Sequence, residues 1–399
     1  MKILFVSSDQ IPHIGGKSTH ILDLMDGLNN LGNETYLLSL NDVHKLKILL
    51  LKMMLLPFRL INKKYYRYLY IIFYRIIFSR CIIQFVNKHH VDVICAQDPI
   101  AACACKEVNK RYNVPIHLTM HTYFGIENTL DNTNINIESK VLKKIVDFEL
   151  GCIDIVRAIT TVDQRILRHV QQQIGNKKII LSSISNFTNT ERFKPVSNEQ
   201  KKIIRDKYNY SENDFIILCS RRLVEKNGVK YLLKAINHMQ CKENILVLII
   251  GDGIQKQNLV EYTYNNNINH IIKFLGNVDN KDIHEYYQLS DISVVPSITV
   301  NGLQEATSIS AIESMACGVP VLASNIGGLT ELIENNFTGI LFTEKDYKTI
   351  ANSIEKLKIN KEYYRLLSNN SINYISVNHS HLSAANRFKD IFEQIKTIK

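Results

Sequence analysis

Two glutamates carry the first chemical signal in this sequence. In "EATSISAIESMACGVPV", residues 305 to 321, Glu305 and Glu313 stand with seven residues between them. Glu305 follows the loop pair Asn301-Gly302, whereas Glu313 falls inside a predicted helix. Thr307 or Ser308 is of a type that caps such a helix, which would run to about Cys317. Unpaired N–H groups at its start would favour an anion, with Glu313 projecting two turns further on. The alternative is a capping box, Ser310-x-x-Glu313, which would leave only a turn or two of helix before Gly318.

Three other stretches hold residues suited to chemistry. "SRRLVEKNG" follows the apolar run "NDFIILC" and puts Arg222 and Lys226 four apart at a predicted strand's carboxyl end. Two cations there suit a phosphate or diphosphate, and a solvated basic turn fits them equally well. "PHIGGKSTH" sets Gly15-Gly16 ahead of Ser18 and Thr19, both N-cap types. Glycines there let the backbone approach an anion, although a tight turn without a ligand explains the same residues. His121, in "TMHTYFG", closes another strand and by itself reads as a loop histidine without a role. "GDG", at 251 to 253, fails the dinucleotide fingerprint because Lys256 stands where a glycine belongs, so it reads as a turn.

The elements that must hold these residues alternate regularly. "KILFVSS", "ETYLLSL", "VDVICAQ", "PIHLTMH" and "IDIVRAITTV" predict buried strands in the first half. "NDFIILCSRRL", "NILVLIIGDG", "HIIKFLG", "ISVVPS" and "VPVLAS" repeat the pattern in the second. Amphipathic stretches lie between them, such as "THILDLMDGLNNLG", apolar at 21, 24, 25, 28 and 31 and closed by Gly32. Such alternation predicts an α/β protein with two Rossmann-like, doubly wound domains, each a parallel sheet covered by helices. Ligands in such folds sit at the carboxyl ends of the strands. The polar stretch 195–214 separates the halves, so the expected domains are 1–195 and 196–375, with a helix over 376–399 crossing back to the first. A chain of 399 residues is too long for one ordinary core, which agrees with two domains.

Charge and cysteine usage narrow the partners. The formal charge of +10 would suggest nucleic acid if it were spread over the chain. It is not: residues 43–81 hold Lys45, Lys47, Lys52, Arg59, Lys63, Lys64, Arg67, Arg75 and Arg80, with Asp42 just outside and no acid within. The basicity belongs to one surface, and no nucleic-acid partner is expected. The longest charge-free run in 45–80 is seven residues, short of the roughly 20 a spanning helix needs. A helix over 63–80 would gather Lys63, Lys64, Arg67 and Arg75 within roughly a 120° arc, opposite Tyr, Phe, Ile and Leu. That composition suits an anionic membrane surface, and an amphipathic pair packed on the domain with a solvated basic face is the other reading. The eight cysteines are scattered without a C-x-x-C, which predicts free buried thiols in a reducing cytosol. "MKILFVSS" has too short an apolar run for a secretory signal and reads as the first strand.

Taken together, the E-x7-E stretch and "MACGVPVLASNIGGLTELI" resemble the C-terminal domain of the retaining family-4, or group 1, glycosyltransferases of GT-B fold. The match continues through "RRLVEKNGVKYLLKA", "LVLIIGDG", "IIKFLGNV", "LSDISVVPS" and "SNFTNTERFKP", covering the C-terminal half nearly end to end. In the N-terminal half it rests on Gly15-Gly16 with His20, on the His121 region and on residues 186–195. The resemblance implies two domains facing a central cleft and a sugar-nucleotide donor. It implies that Glu313 holds the ribose and that Glu305 faces the donor sugar. It places the backbone around Ser308 and Ile309 at the sugar and phosphates, and gives the diphosphate to Arg222 and Lys226. The Gly15-Gly16 loop would close over the phosphates from the other domain, and His121 would contact sugar or acceptor. Two carboxylates at opposite ends of one ligand do not suit the paired acid and base of a glycoside hydrolase. Ala306, Phe187 and Arg221 depart from the family pattern, each standing where glycine is usual.

The expected function is therefore retaining transfer of a sugar from a nucleotide-diphosphate donor to an acceptor hydroxyl, in cell-surface polysaccharide or glycolipid synthesis. The enzyme would work in the cytoplasm, peripheral on the inner face of the cell membrane, on a glycan or lipid-linked acceptor. No metal is expected, since the chain has no D-x-D and no ligand-spaced His, Asp and Glu cluster. The alternatives are an epimerase or phosphorylase of the same fold, or a non-catalytic membrane-surface protein built on it.

Overall fold

Alternating apolar runs do become two parallel sheets, each wound in both directions. The structure, a computed structural model, describes residues 1–13, 15–125, 140–175 and 177–397, and the side chains of Lys64 and Leu142 lie outside that description. The chain divides into two compact units, Met1–Ser185 with Ala384–Lys399, and Asn186–Ser383. The division falls ahead of the expected 195/196 boundary. The polar stretch that suggested the later position folds as the helix Asn198–Lys207, whose buried Ile204 and Arg205 belong to the second unit.

In the first unit the strands are β1 (Lys2–Val6), β2 (Glu34–Leu38), β3 (Val93–Ala96), β4 (Ile116–Met120), β5 (Ala158–Thr161) and β6 (Ile180–Ser183). They pair in parallel in the order β2-β1-β3-β4-β5-β6. β3, β4 and β5 are buried along their whole length, as a sheet covered on both faces requires. The predicted amphipathic helix runs over Gly16–Asn30 and buries Ile21, Leu24 and Leu28.

The second unit repeats the plan with β7 (Phe215–Ser220), β8 (Ile245–Ile250), β9 (Ile272–Gly276), β10 (Ile292–Val295), β11 (Val321–Ser324) and β12 (Ile340–Phe342). Their order is β12-β11-β10-β7-β8-β9. Alternate residues feed two cores, one on each face. Ile217, Cys219, Val247, Ile249, Val294 and Leu322 enter one, while Ile216, Leu218, Leu246, Leu248, Val295 and Val321 enter the other.

The winding direction reverses between β1 and β3 in the first sheet and between β7 and β10 in the second. Loops leaving neighbouring strands at a reversal diverge and open a crevice at the strands' carboxyl ends. The connections after β1, β7 and β10 carry Gly15-Gly16, Arg222 with Lys226, and Glu305 with Ser308, while His121 follows β4.

Candidate active site

In the second unit the reversal brings Arg221 and Glu305 together. Arg221 is the first residue after β7, and its backbone N–H donates to the Ile250 carbonyl at 2.9 Å. Its Nη2 lies 2.7 Å from Glu305 Oε2, with the two side chains only 8% and 15% exposed. The same nitrogen donates to Asn227 Oδ1 and Ser297 Oγ, each at 2.9 Å, and Nη1 donates to Ser308 Oγ at 3.0 Å. One guanidinium thus ties the loop after β7, the loop after β10 and the start of the helix Ile309–Ala316. Burial alone would raise the Glu305 carboxyl. Arg221, and after it Lys226 and Arg222, outweigh burial and hold it below the usual carboxylate range.

Two glycines let these loops lie close. Gly251, at φ +123°, backs the Arg221 carbonyl, and a Cβ there would collide with it. A Cβ on Gly328 would stand 2.6 Å from Thr307 N, and the Gly328 N–H donates to the Glu305 carbonyl at 2.9 Å. The "GDG" stretch is therefore a packing turn behind the β7 loop.

The helix bearing Glu313 starts at Ile309 and ends at Ala316, with Ser308 as its N-cap residue. No capping box forms, because Ser310 lies inside the helix. Nor does the Ser308 hydroxyl cap: it accepts from Arg221 and sits 3.0 Å from Ser310 Oγ. Glu313 is buried, and after burial itself its charge is the main influence pushing the Tyr287 phenol and the Cys317 thiol well up. Arg222 is exposed and Lys226 half-buried, its carbonyl accepting from the Ile298 N–H at 2.8 Å.

The first unit's site lies around its own reversal. Gly15, not Ser18 or Thr19, is the N-cap of the helix that starts at Gly16, and Ser18 Oγ accepts from the His13 N–H at 3.1 Å. Lys17 Nζ reaches Asp98 Oδ2 at 2.7 Å and Asp9 Oδ2 at 2.9 Å. His121 follows β4, and its Nε2 is 3.0 Å from Gln97 Oε1. With the amide oxygen accepting, Nε2 carries the proton and Nδ1 is the basic nitrogen. Burial, then the neighbouring His20 and Lys17, push His121 well below its ordinary value, so the ring is neutral at pH 7. The His20 ring meets it edge-on at 4.7 Å.

Comparison with known proteins places this arrangement. Residues 200–374 match the family described as "Glycosyl transferases group 1", and residues 14–192 match "Glycosyltransferase Family 4". The chain belongs to the family-4, or group 1, glycosyltransferases. A solved sucrose-phosphate synthase from Thermosynechococcus elongatus is 17% identical, with a TM-score of 0.78 over 100% of both chains, and the shared fold is GT-B. An uncharacterized glycosyltransferase of Methanocaldococcus jannaschii is 28% identical over 173 residues, 43% of each chain. A GDP-mannose-dependent monoacylated alpha-(1-6)-phosphatidylinositol monomannoside mannosyltransferase of Corynebacterium glutamicum is 26% identical over 205 residues, 51% of this chain and 53% of that protein. The chain spans about half the length of the curated relatives it matches.

For this glycosyltransferase, the sequence reading assigned no role to Arg221, Lys17, Asp98 or Gln97, which the structure sets beside the candidate residues. Arg221 was visible as the doubled arginine of "SRRL", and Lys17 directly follows Gly15-Gly16. Asp98 precedes Pro99 in "AQDP", a helix-start signature, and it caps the helix Pro99–Ala104 through the Ala101 N–H at 2.8 Å.

The basic segment forms the helices Lys45–Met54, Leu56–Ile61 and Lys63–Val86. Tyr65–Val86 is long and apolar enough to cross a membrane by length and composition. However, Ile71, Tyr74, Phe78 and Ile82 line a face buried in the unit's own core. Lys63 and Arg67 are exposed and Arg75 is half-buried, while the side chain of Lys64 lies outside the described residues. The exposed apolar side chains lie mostly on the two shorter helices, from Leu46, Leu49 and Leu50 to Leu60 and Ile61.

Proposed function

We propose that this glycosyltransferase moves a sugar from a nucleoside-diphosphate donor to an acceptor hydroxyl with retention at the anomeric carbon. The observation that carries the reading is the grouping at the β7/β10 reversal, where Glu305 stays ionised under the influence of Arg221, Lys226 and Arg222. Breaking the bond to the anomeric carbon leaves negative charge on the diphosphate. Arg222, Lys226 and the N–H groups at Ser308 and Ile309 are cationic and polar donors suited to stabilise it. Glu305 then holds the sugar hydroxyls and the buried Glu313 holds the ribose. In the first unit, Gly15 and Gly16 take the phosphate role that the family implies. His121, neutral and with a basic Nδ1, takes the contact with sugar or acceptor.

The acceptor is lipid-linked or membrane-proximal, and the enzyme works on the inner face of the cell membrane in polysaccharide or glycolipid synthesis. The exposed apolar side chains on Lys45–Met54 and Leu56–Ile61, set among cations without acids, support this placement. So does the lipid named for the Corynebacterium relative.

The test is thermal stabilisation by a panel of sugar nucleotides carrying GDP, UDP, ADP and dTDP. A ligand bound only to the folded state raises Tm, by free energy of about 2.7 kcal/mol at a hundred times its Kd. One nucleotide class should raise Tm and support transfer. No shift with any member at millimolar concentration would overturn the reading.

A further inference from the structure

The geometry points to Arg221 as a positioning residue for transfer, fixing the Glu305 carboxylate and the start of the Glu313 helix as one unit. The inference rests on the function proposed above. Its physical basis is that the pair is poorly explained as a stabilising device. A buried ion pair recovers little beyond the cost of removing both charges from water. Here that cost is increased by a buried Arg221 Nε without a hydrogen-bond partner among the described residues. Cys219, on β7 two residues before Arg221, is buried in the apolar core, so the arginine stands just beyond a hydrophobic strand.

What the arrangement supplies is direction. The planar guanidinium holds Glu305 Oε2 at 2.7 Å and is itself held by Asn227 and Ser297 at 2.9 Å and by Ser308 at 3.0 Å, with Ser310 at 3.5 Å. A carboxylate held at one oxygen by a guanidinium that is itself tied to the loops after β7 and β10 swings less freely than one on a free loop. The same guanidinium donates to the Ser308 hydroxyl, and that hydroxyl does not cap the first N–H groups of the helix. Sugar contact and anion contact are set by one side chain.

The experiment compares wild type with Arg221→Lys, Arg221→Met and the neutral pair Arg221→Met/Glu305→Gln. Four quantities are read: Tm, affinity for the nucleoside diphosphate product, kcat with donor KM, and titration of Glu305 by carboxyl-carbon NMR. In Arg221→Lys the fold and product affinity should stay near wild type, while kcat falls about 100-fold, the scale of a 1 Å misplacement, with little change in KM. In Arg221→Met the Glu305 titration and the acid limb of the rate profile should both move to higher pH, because Lys226 and Arg222 are then the remaining cations acting on it. The neutral pair should regain Tm without regaining kcat. Wild-type kcat in Arg221→Lys, or an unmoved Glu305 titration in Arg221→Met, would overturn the inference. Recovery of kcat in the neutral pair would do the same. The NMR titration needs no substrate, so it answers even if no donor is turned over, an outcome that would count against the proposed function instead.

Discussion

Lys17 and Asp98 form a salt bridge of 2.7 Å that joins the first helix turn after β1 to the residue capping the helix after β3. Their side chains are 17% and 8% exposed, and Asp98 also accepts from the Ser8 N–H at 2.9 Å. Burial opposes both charges, yet Lys17 is held above its ordinary value by Asp98 and Asp9, and Asp98 below its own by Lys17. Removing the lysine leaves a buried carboxylate unpaired. Lys17→Met should therefore cost about 3–5 kcal/mol in urea unfolding at pH 7. Since the folded Asp98 value is depressed, its contribution is present above the unfolded value of about 3.9 and fades as pH falls through the folded one. The gap between wild type and variant should close in acid. An equal gap at pH 7 and pH 2.5 would show that the charge pair is not its source.

The donor clamp makes a second prediction. Arg222→Ala and Lys226→Ala should each weaken donor binding by roughly 1.5–3 kcal/mol, the scale of a charge-assisted hydrogen bond. Glu313→Ala should mainly lower nucleotide affinity, whereas Glu305→Ala should mainly lower kcat. Calorimetry with the product nucleotide, alongside steady-state kinetics, separates the two carboxylates. Identical profiles for both glutamate variants would refute the division of roles.

How far the sequence could be read depended on the kind of signal. Buried parallel strands write themselves as apolar runs, so ten of the twelve were legible. The two missed, Ile180–Ser183 and Ile340–Phe342, are edge strands of four and three residues, and the first is only half-buried throughout. An edge strand has one neighbour and needs no long apolar run. In the candidate site, residues on a recurring motif could be found one by one. Arg221 was visible as a residue but its contact was not, because that contact is a pairing with a glutamate 84 positions away, brought close only by the reversal of winding. Spacing along the chain carries no trace of that contact.

Metal dependence is the third test. Among the described residues no three His, Cys, Asp or Glu side chains come together as metal ligands. The proposed clamp instead uses Arg222, Lys226 and a helix N-terminus for positive charge. Transfer should persist in excess EDTA within about twofold, a difference of under 0.5 kcal/mol in barrier. Abolition by EDTA with recovery on adding manganese or magnesium would show that the clamp is incomplete.

Glu149 supplies a pH prediction of opposite sign to Asp98. It is buried, its Oε2 accepts from the Gly125 N–H at 2.9 Å, and its Oε1 has no partner among the described residues. Burial pushes its carboxyl up to about 7. Between the unfolded value of about 4.3 and the folded one, the native state keeps a proton that the unfolded chain releases. Stability therefore falls as pH rises through that window, and Glu149→Gln removes the loss. The variant should melt above wild type at pH 8, with the advantage disappearing by pH 4. A Tm difference independent of pH would mean that Glu149 does not carry this proton.

The last prediction concerns the basic helices of the first unit. Leu60 and Ile61 are 80% and 84% exposed, and Lys45, Lys47, Lys52 and Arg59 on the same two short helices are exposed as well. Water is a poor solvent for that apolar surface, whereas the headgroup boundary of a bilayer accepts it while anionic lipids meet the cations. Each basic residue near such a surface contributes about 1 kcal/mol, or roughly fivefold in affinity. Co-sedimentation with vesicles should rise with anionic lipid content and fall with salt. Replacing Lys63, Lys64, Arg67 and Arg75 with Gln tests the cations on the long helix. Replacing Leu60 and Ile61 with Ser tests the apolar tip, with an expected loss of about tenfold or more if each side chain is even partly buried in lipid. Because Arg75 is half-buried and the apolar tip lies on the shorter helices, the serine pair should weaken binding more than Arg75→Gln alone. Binding that ignores lipid charge and salt, or that survives both sets of replacements, would remove the membrane from the account and leave the segment as a solvated face of the first unit.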